Sequence, residues 1–195
     1  WKGEAAKAHA DYLAWTDKPR ELPGSFQYGE VVPWLRDRLP KDAIVCNGAG
    51  NYAGWIHRHH RFHSFASQLA PTSGSMGYGV PAGVLAKRQY PDRVVVAFAG
   101  DGCFLMNGQE LATAVQHGAD LIVLLVDNAA YGTIRMHQER EYPARLSGTT
   151  LRNPDFAALA RAYGGWAETV EATAQFAPAL DRALARPGLR LLHLK

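Results

Sequence analysis

From Ala43 onward, short apolar runs alternate with longer stretches whose hydrophobic positions recur at helical spacing. Ile44–Cys46, Arg93–Phe98, Leu121–Val126, Ala167–Val170 and Leu189–Leu194 are short and often β-branched, so they predict strands. Gly29–Leu39, Ser75–Arg88, Phe104–His117, Asp155–Tyr163 and Ala174–Ala185 predict helices. Asn153-Pro154-Asp155 reads as a helix start, with Asn153 as cap and Pro154 in the first turn. The opening segment, Trp1 to Pro23, has a short Ala-rich helical stretch and then becomes polar and proline-punctuated. Residues 1–28 therefore read as a linker or N-terminal extension, and residues 29–195 as the folded domain.

Strand and helix in strict alternation predict an α/β fold: a parallel sheet with helices on both faces, three layers deep. Val94–Phe98 and Leu121–Val126 are nearly unbroken apolar runs, as expected of central strands covered on both sides. Ligands of such sheets bind outside the carboxyl ends of the strands, so the residues after each strand matter most. Gly100-Asp101-Gly102 follows one central strand and Asp127-Asn128 follows the other. If the two strands are neighbours, Asp101 and Asn128 emerge side by side. A carboxylate and an amide oxygen form a hard, oxygen-only partial shell of the kind that holds Mg²⁺ when phosphate oxygens complete the octahedron. Gly100 and Gly102 allow close backbone approach, and a helix start beyond them favours an anion. The plainer alternative makes Asp101 a helix cap and Asn128 a turn residue. Their joint placement after two adjacent strands favours a diphosphate–metal site.

At 195 residues the chain is long enough for one α/β domain with a buried core. A net charge of +3 is too small to argue for nucleic acid, and a patch of Trp55, Arg58, Arg61 and Phe62 lacks any module signature. The distribution of charge is more informative. No Asp or Glu occurs between Ala43 and Pro91, a stretch that carries Arg58, Arg61, Lys87, Arg88 and several histidines. Such a segment suits either a surface that meets an anion or a solvated basic face. His57, His59, His60 and His63 match no zinc spacing, and the arginines among them repel a cation, so they read as a solvated basic surface. Gly48-x-Gly50-x-x-x-Gly54 faintly resembles a dinucleotide fingerprint, but no acid follows at the distance a ribose needs. Cys46 and Cys103 form no disulfide framework, which predicts a reducing, cytoplasmic setting. No apolar run approaches the roughly 20 residues of a membrane span, so no membrane association is expected. A first residue of Trp1 and a strand-like run ending at Lys195 lead us to expect a piece of a longer protein.

Gly100-Asp101-Gly102, an intervening helix and strand, and then Asn128 resemble the signature of thiamine-diphosphate-dependent enzymes. Gly74-Ser75-Met76-Gly77, Met106 to Leu111 and Asp127 to Gly132 extend the likeness to the acetolactate synthase, pyruvate oxidase and benzoylformate decarboxylase group. It covers most of the chain from about Gly29 and corresponds to that family's C-terminal, diphosphate-binding domain. The resemblance implies that Asp101, Asn128 and the backbone carbonyl of Ala130 ligate Mg²⁺. It implies phosphate contacts at Gly102 and Cys103, where the family more often has Ser in place of Cys103, and cofactor contacts at Gly100, Tyr131, Gly132 and Thr133. Asn51 and Tyr52 stand where relatives often place Gln and His against the diphosphate. The backbone at Gly74 would meet the aminopyrimidine, Ser75 beside it would be a further cofactor contact, and Met76 would prop the cofactor into its bent, reactive shape.

The resemblance implies an enzyme, a lyase or transferase that decarboxylates or ligates a small 2-keto acid, with the cofactor storing the electrons released with carbon dioxide. The activating glutamate of the family lies on an N-terminal, pyrimidine-binding domain of a neighbouring subunit. This chain has no match to that domain, and Glu110 sits in a helix where a structural role suits it better. The isolated chain is thus expected to contain no catalytic acid and to be inactive alone, and the active enzyme to be a homodimer or homotetramer. Arg135 and His137 are candidate substrate contacts. Acetolactate synthases commonly carry Trp at the position of His137, a departure that leaves a decarboxylase or carboligase of another 2-keto acid as the safer expectation. A non-catalytic assembly domain that kept the fold is the alternative. Against it, both side-chain metal ligands and the methionine prop are present.

Overall fold

Side chains of the central strands point alternately to two opposite cores, and this period of two organises the whole molecule. The computed structural model describes residues 1–195. The strands are β1 (Ile44–Asn47), β2 (Gln68–Leu69), β3 (Val95–Gly100), β4 (Ile122–Val126), β5 (Trp166–Val170) and β6 (Arg190–Leu194). They form one sheet in the order β2-β1-β3-β4-β6-β5, and every neighbouring pair is parallel. The helices are α1 (Lys2–Thr16), α2 (Tyr28–Arg36), α3 (Asn51–His59), α4 (Gly79–Gln89), α5 (Asp101–Asn107), α6 (Glu110–Gln116), α7 (Gly132–Glu141), α8 (Phe156–Ala162) and α9 (Thr173–Leu184).

On one face Ile44, Val95, Ala97, Val123 and Leu191 pack with Val80 of α4, Phe104 of α5, Leu111 of α6 and Phe156 of α8. On the other, Val45, Phe98, Ile122, Leu124 and Leu192 pack with Val31 and Leu35 of α2, Ile56 of α3 and Leu180 of α9. The expected three-layer α/β fold is what forms. β3 carries alanines on the first face, and there α4 closes in. A Cβ added to Gly83 would stand 2.9 Å from Ala97 Cβ.

Four local expectations change. The helix expected from Ser75 starts at Gly79, because Gly74 (φ 68°) and Gly77 (φ 85°) hold the chain in a conformation no α-helix contains. The helix expected over Phe104–His117 begins earlier, at Asp101, and is split into α5 and α6 beside Gly108, against which the Phe104 ring packs. α8 is capped by Asp155, whose side chain accepts from the Ala158 N–H at 2.8 Å, and not by Asn153. The N-terminal segment folds as a 15-residue helix, α1, of which only Thr16 is buried.

The basic stretch is not simply a solvated face. Arg58 lies 3.6 Å over the Trp15 ring and donates to the Trp15 carbonyl at 2.9 Å. Buried His59 bonds the Thr16 carbonyl at 2.8 Å, and Arg61 pairs with Asp17. The two arginines sit at the C-terminal end of α1, where the unpaired carbonyls of its last turn attract positive charge. No helix of the protein is long and apolar enough to cross a membrane.

Candidate functional site

Sheet topology creates one natural crevice. The chain leaves β1 into α3 on one face and leaves β3 into α5 on the other, so the two exits diverge between adjacent strands. A cavity of about 480 Å³ opens there, a size suited to a cofactor. Its lining draws on three loops: Ala49 to Tyr52 after β1, Gly100 to Cys103 after β3, and the segment from Val126 through Ile134 after β4, with Gly74 and Met76 closing a further side.

The wall formed after β3 and β4 is built from oxygen. Gly100 of β3 pairs in register with Val126 of β4, so Asp101 and Asp127 emerge level with each other and Asn128 one step beyond. Asp101 is 3% exposed, and its Oδ1 accepts the Gly102 N–H at 2.9 Å. Burial pushes its carboxyl above the usual range, and neighbouring Asp127 adds to that, while bonds from Asn153 and Gly102 oppose it. Burial acts on Asp127 in the same sense. There it is outweighed by hydrogen bonds from His193, the Ala129 N–H and Asn153, which hold the group at about 2. Asn128 Oδ1 accepts from the Ala130 N–H at 3.2 Å in a turn that puts Ala129 at φ 53°. This loop is pinned by a short antiparallel bridge between Ala130 and Thr150. Asp101, Asn128 and Ala130 all line the cavity, and together they offer only hard oxygen donors, a set that fits Mg²⁺.

The opposite wall is aromatic and closely packed. The Tyr52 ring is sandwiched between Gly50 and Gly100, where a Cβ on either would stand 2.9 Å from it. Its hydroxyl accepts the Gly48 N–H at 3.0 Å and lies 3.4 Å from Cys103 Sγ. Burial, with Cys103 beside it, raises the Tyr52 hydroxyl well above its ordinary value, so it stays neutral. Cys103 Sγ in turn accepts the Gly77 N–H at 3.1 Å. The Cys103 thiol therefore ties the Met76-bearing segment to α5. Across the mouth, the Asn51 N–H donates to Thr133 Oγ1 and the Thr133 hydroxyl donates back to Asn51 Oδ1, both at 3.0 Å. Tyr131 packs over Gly102, a position that has no room for a side chain.

All of the expected cofactor residues line this cavity except Ser75, which is exposed and lies 2.9 Å from the Ser73 hydroxyl. Arg135 and His137 lie outside the lining. Arg135 pairs with Glu139 at 2.9 Å on the exposed side of α7, and His137 contacts Arg140 at 3.0 Å. Gly54 has open space around it and closes no helix onto a strand, which removes the dinucleotide alternative. Sequence reasoning missed Leu22, Tyr28 and Trp55 in the apolar wall. It also missed Asn153, which donates to Asp101 Oδ2 and Asp127 Oδ1, both at 2.8 Å, and His193, which bonds Asp127 Oδ2 at 2.8 Å. One signal for Asn153 was available. Asn153 and Asp155 flank the same proline, and only one of them can cap the helix.

Residues 48–194 match the family model described as thiamine pyrophosphate enzyme, C-terminal TPP binding domain. The chain is 36% identical over 176 residues to the acetolactate synthase isozyme 2 large subunit of Escherichia coli K12, covering 88% of this chain and 32% of that protein. It is 38% identical over 156 residues to the acetolactate synthase large subunit of Parasynechococcus marenigrum, covering 77% of this chain and 25% of that one. Among solved structures, a thiamine diphosphate-dependent 4-hydroxybenzoylformate decarboxylase from Rhodococcus jostii RHA1 superposes with a TM-score of 0.85 at 24% identity, over 92% of this chain and 34% of that one. The chain thus spans about a third of the length of the curated relatives it matches.

Proposed function

This chain belongs to the thiamine pyrophosphate enzyme family, as its C-terminal cofactor-binding domain, and from that premise we propose that it seats thiamine diphosphate with Mg²⁺ for an enzyme that decarboxylates or ligates 2-keto acids. The observation that carries the proposal is the crevice between β1 and β3, where the expected cofactor residues other than Ser75 line one cavity. Asp101, Asn128 and the Ala130 carbonyl would hold the metal. The backbone of Cys103, together with Asn51 and Thr133, would meet the diphosphate, which requires the reciprocal Asn51–Thr133 bonds to open, while Gly102 would border it with its own N–H kept by Asp101 Oδ1. Met76, on a segment bounded by Gly74 and Gly77, would support the bent cofactor. Tyr131 and Gly132 would border the phosphates.

Bound there, the cofactor supplies an electron sink for the carbon–carbon bond that breaks or forms. The domain's own contribution is to orient that group, exclude water with its apolar wall and neutralise the diphosphate charge. A glutamate from a pyrimidine-binding domain of a second subunit would complete the site, making the working enzyme at least a homodimer in the cytoplasm, and the chain alone inactive.

The direct test is carbon dioxide release by the full-length protein from a panel of 2-keto acids, with thiamine diphosphate and Mg²⁺ supplied. Release from at least one acid, lost in Asp101→Ala, is the expected result. No turnover on any acid, with cofactor shown to be bound, would favour an assembly role instead.

A further inference from the structure

We propose that Asn153 is a positioning residue for the metal site: its side-chain amide bridges Asp101 and Asp127 and holds Asp101 in the orientation the cation needs. The inference rests on the reading of Asp101 as an Mg²⁺ ligand.

The two carboxylates leave adjacent strands at the same level, and left alone they would repel each other. Asn153 Nδ2 has two protons and gives one to each, at 2.8 Å to Asp101 Oδ2 and 2.8 Å to Asp127 Oδ1. The reverse amide orientation would aim an oxygen at two carboxylates, so the chemistry fixes which end faces them. Asn153 Oδ1 is left as a buried acceptor without a protein donor. A side chain kept merely for solubility or for capping would not be held this way, and the cap of α8 is already Asp155.

Asp127 is the anchored partner of the pair. The Ala129 N–H donates to its Oδ1 at 2.9 Å, and His193 bonds its Oδ2 at 2.8 Å. His193 is 1% exposed in β6, with the Phe156 ring edge-on at 5.2 Å. Rigidity therefore passes from β6 through Asp127 and Asn153 to Asp101. With Gly102 on Oδ1 and Asn153 on Oδ2, each Asp101 oxygen spends one lone pair on the protein and keeps another for a cation. Groups that orient a metal ligand in this way commonly contribute about 10- to 100-fold in metal affinity.

The test uses the full-length protein and equilibrium dialysis of thiamine diphosphate across a series of MgCl₂ concentrations. Asn153→Ala should raise the half-saturating Mg²⁺ by about 10- to 100-fold. Asn153→Ser, which can donate to only one carboxylate, should fall between it and wild type, and carries the comparison if the alanine variant does not fold. Leu121→Ala, a buried residue at the opposite end of β4 from Asp127, serves as the packing control: it should lower the melting temperature and leave the Mg²⁺ requirement at its wild-type value. Folded Asn153 variants with a wild-type Mg²⁺ requirement would overturn the inference, as would a shift in Leu121→Ala equal to that in Asn153→Ala. Binding by the wild type that ignores Mg²⁺ would overturn the metal reading beneath it.

Discussion

The loops after β3 and β4 bring Asp101 and Asn128 to one polar wall, backed by Asp127 and by Asn153 from the segment before α8, whereas the loop after β1 and the start of α3 present Tyr52 and Trp55. The polar wall is a hydrogen-bonded network whose groups repel or attract each other according to charge. The aromatic wall is a matter of shape, with the Tyr52 ring filling the gap between two glycines. The contrast separates two jobs. Losses on the polar side should appear in metal and cofactor affinity, and losses on the aromatic side should appear first in stability.

The largest expected effect lies on the polar side. Asp101→Ala should weaken Mg²⁺-dependent cofactor binding by about 100-fold or more, since it removes a ligand itself and not a supporting group. Its thermal stability without metal should fall only modestly, by about 1–2 kcal/mol, because relief of the repulsion with Asp127 partly offsets the Gly102 and Asn153 donors left without their acceptor. A melting temperature that collapses would break the separation between the two walls.

Next in size is Gly100→Ala. The added methyl meets the Tyr52 ring at 2.9 Å, inside a packed wall. We expect about 1–3 kcal/mol of destabilisation in urea denaturation, shared between the walls because Gly100 borders both. Tyr52→Phe should do less, about 1 kcal/mol or a little more, by leaving the buried Gly48 N–H without its acceptor. Cofactor affinity in that variant should change only a few-fold, and a loss as large as that of Asp101→Ala would place Tyr52 among the binding groups. The smallest effect belongs to Arg135→Ala. Arg135 is half exposed and paired along its own helix with Glu139, so neither stability nor cofactor binding should move measurably. A raised KM for the keto acid in the same variant would bring Arg135 back as a substrate contact.

The architecture was largely legible because its cause is local and periodic. Val95 to Gly100 and Ile122 to Val126 are apolar at every step, which only a doubly covered central strand tolerates. Their adjacency then made Asp101 and Asn128 a pair worth attention. α3 and α7 were missed for the opposite reason. α3 has a buried side of Ala53, Ile56 and His59, but it is only nine residues long and a histidine completes the stripe, while α7 buries none of its side chains and so has no stripe to read. Asn153 was misread because a cap is a local explanation and was sufficient by itself. Its bonds reach 52 and 26 residues back along the chain, a distance at which pattern reasoning has no purchase. Leu22, Tyr28 and Trp55 belong to the cavity only because α2 and α3 fold over the same face of the sheet.

The most direct measurement is a calorimetric titration of the full-length protein with thiamine diphosphate, run with Mg²⁺ and again with the metal chelated. The account predicts saturable binding that requires the metal and disappears in Asp101→Ala. Equal binding with and without metal, or binding that survives Asp101→Ala, would contradict the claim that this crevice holds the diphosphate through a cation on Asp101 and Asn128.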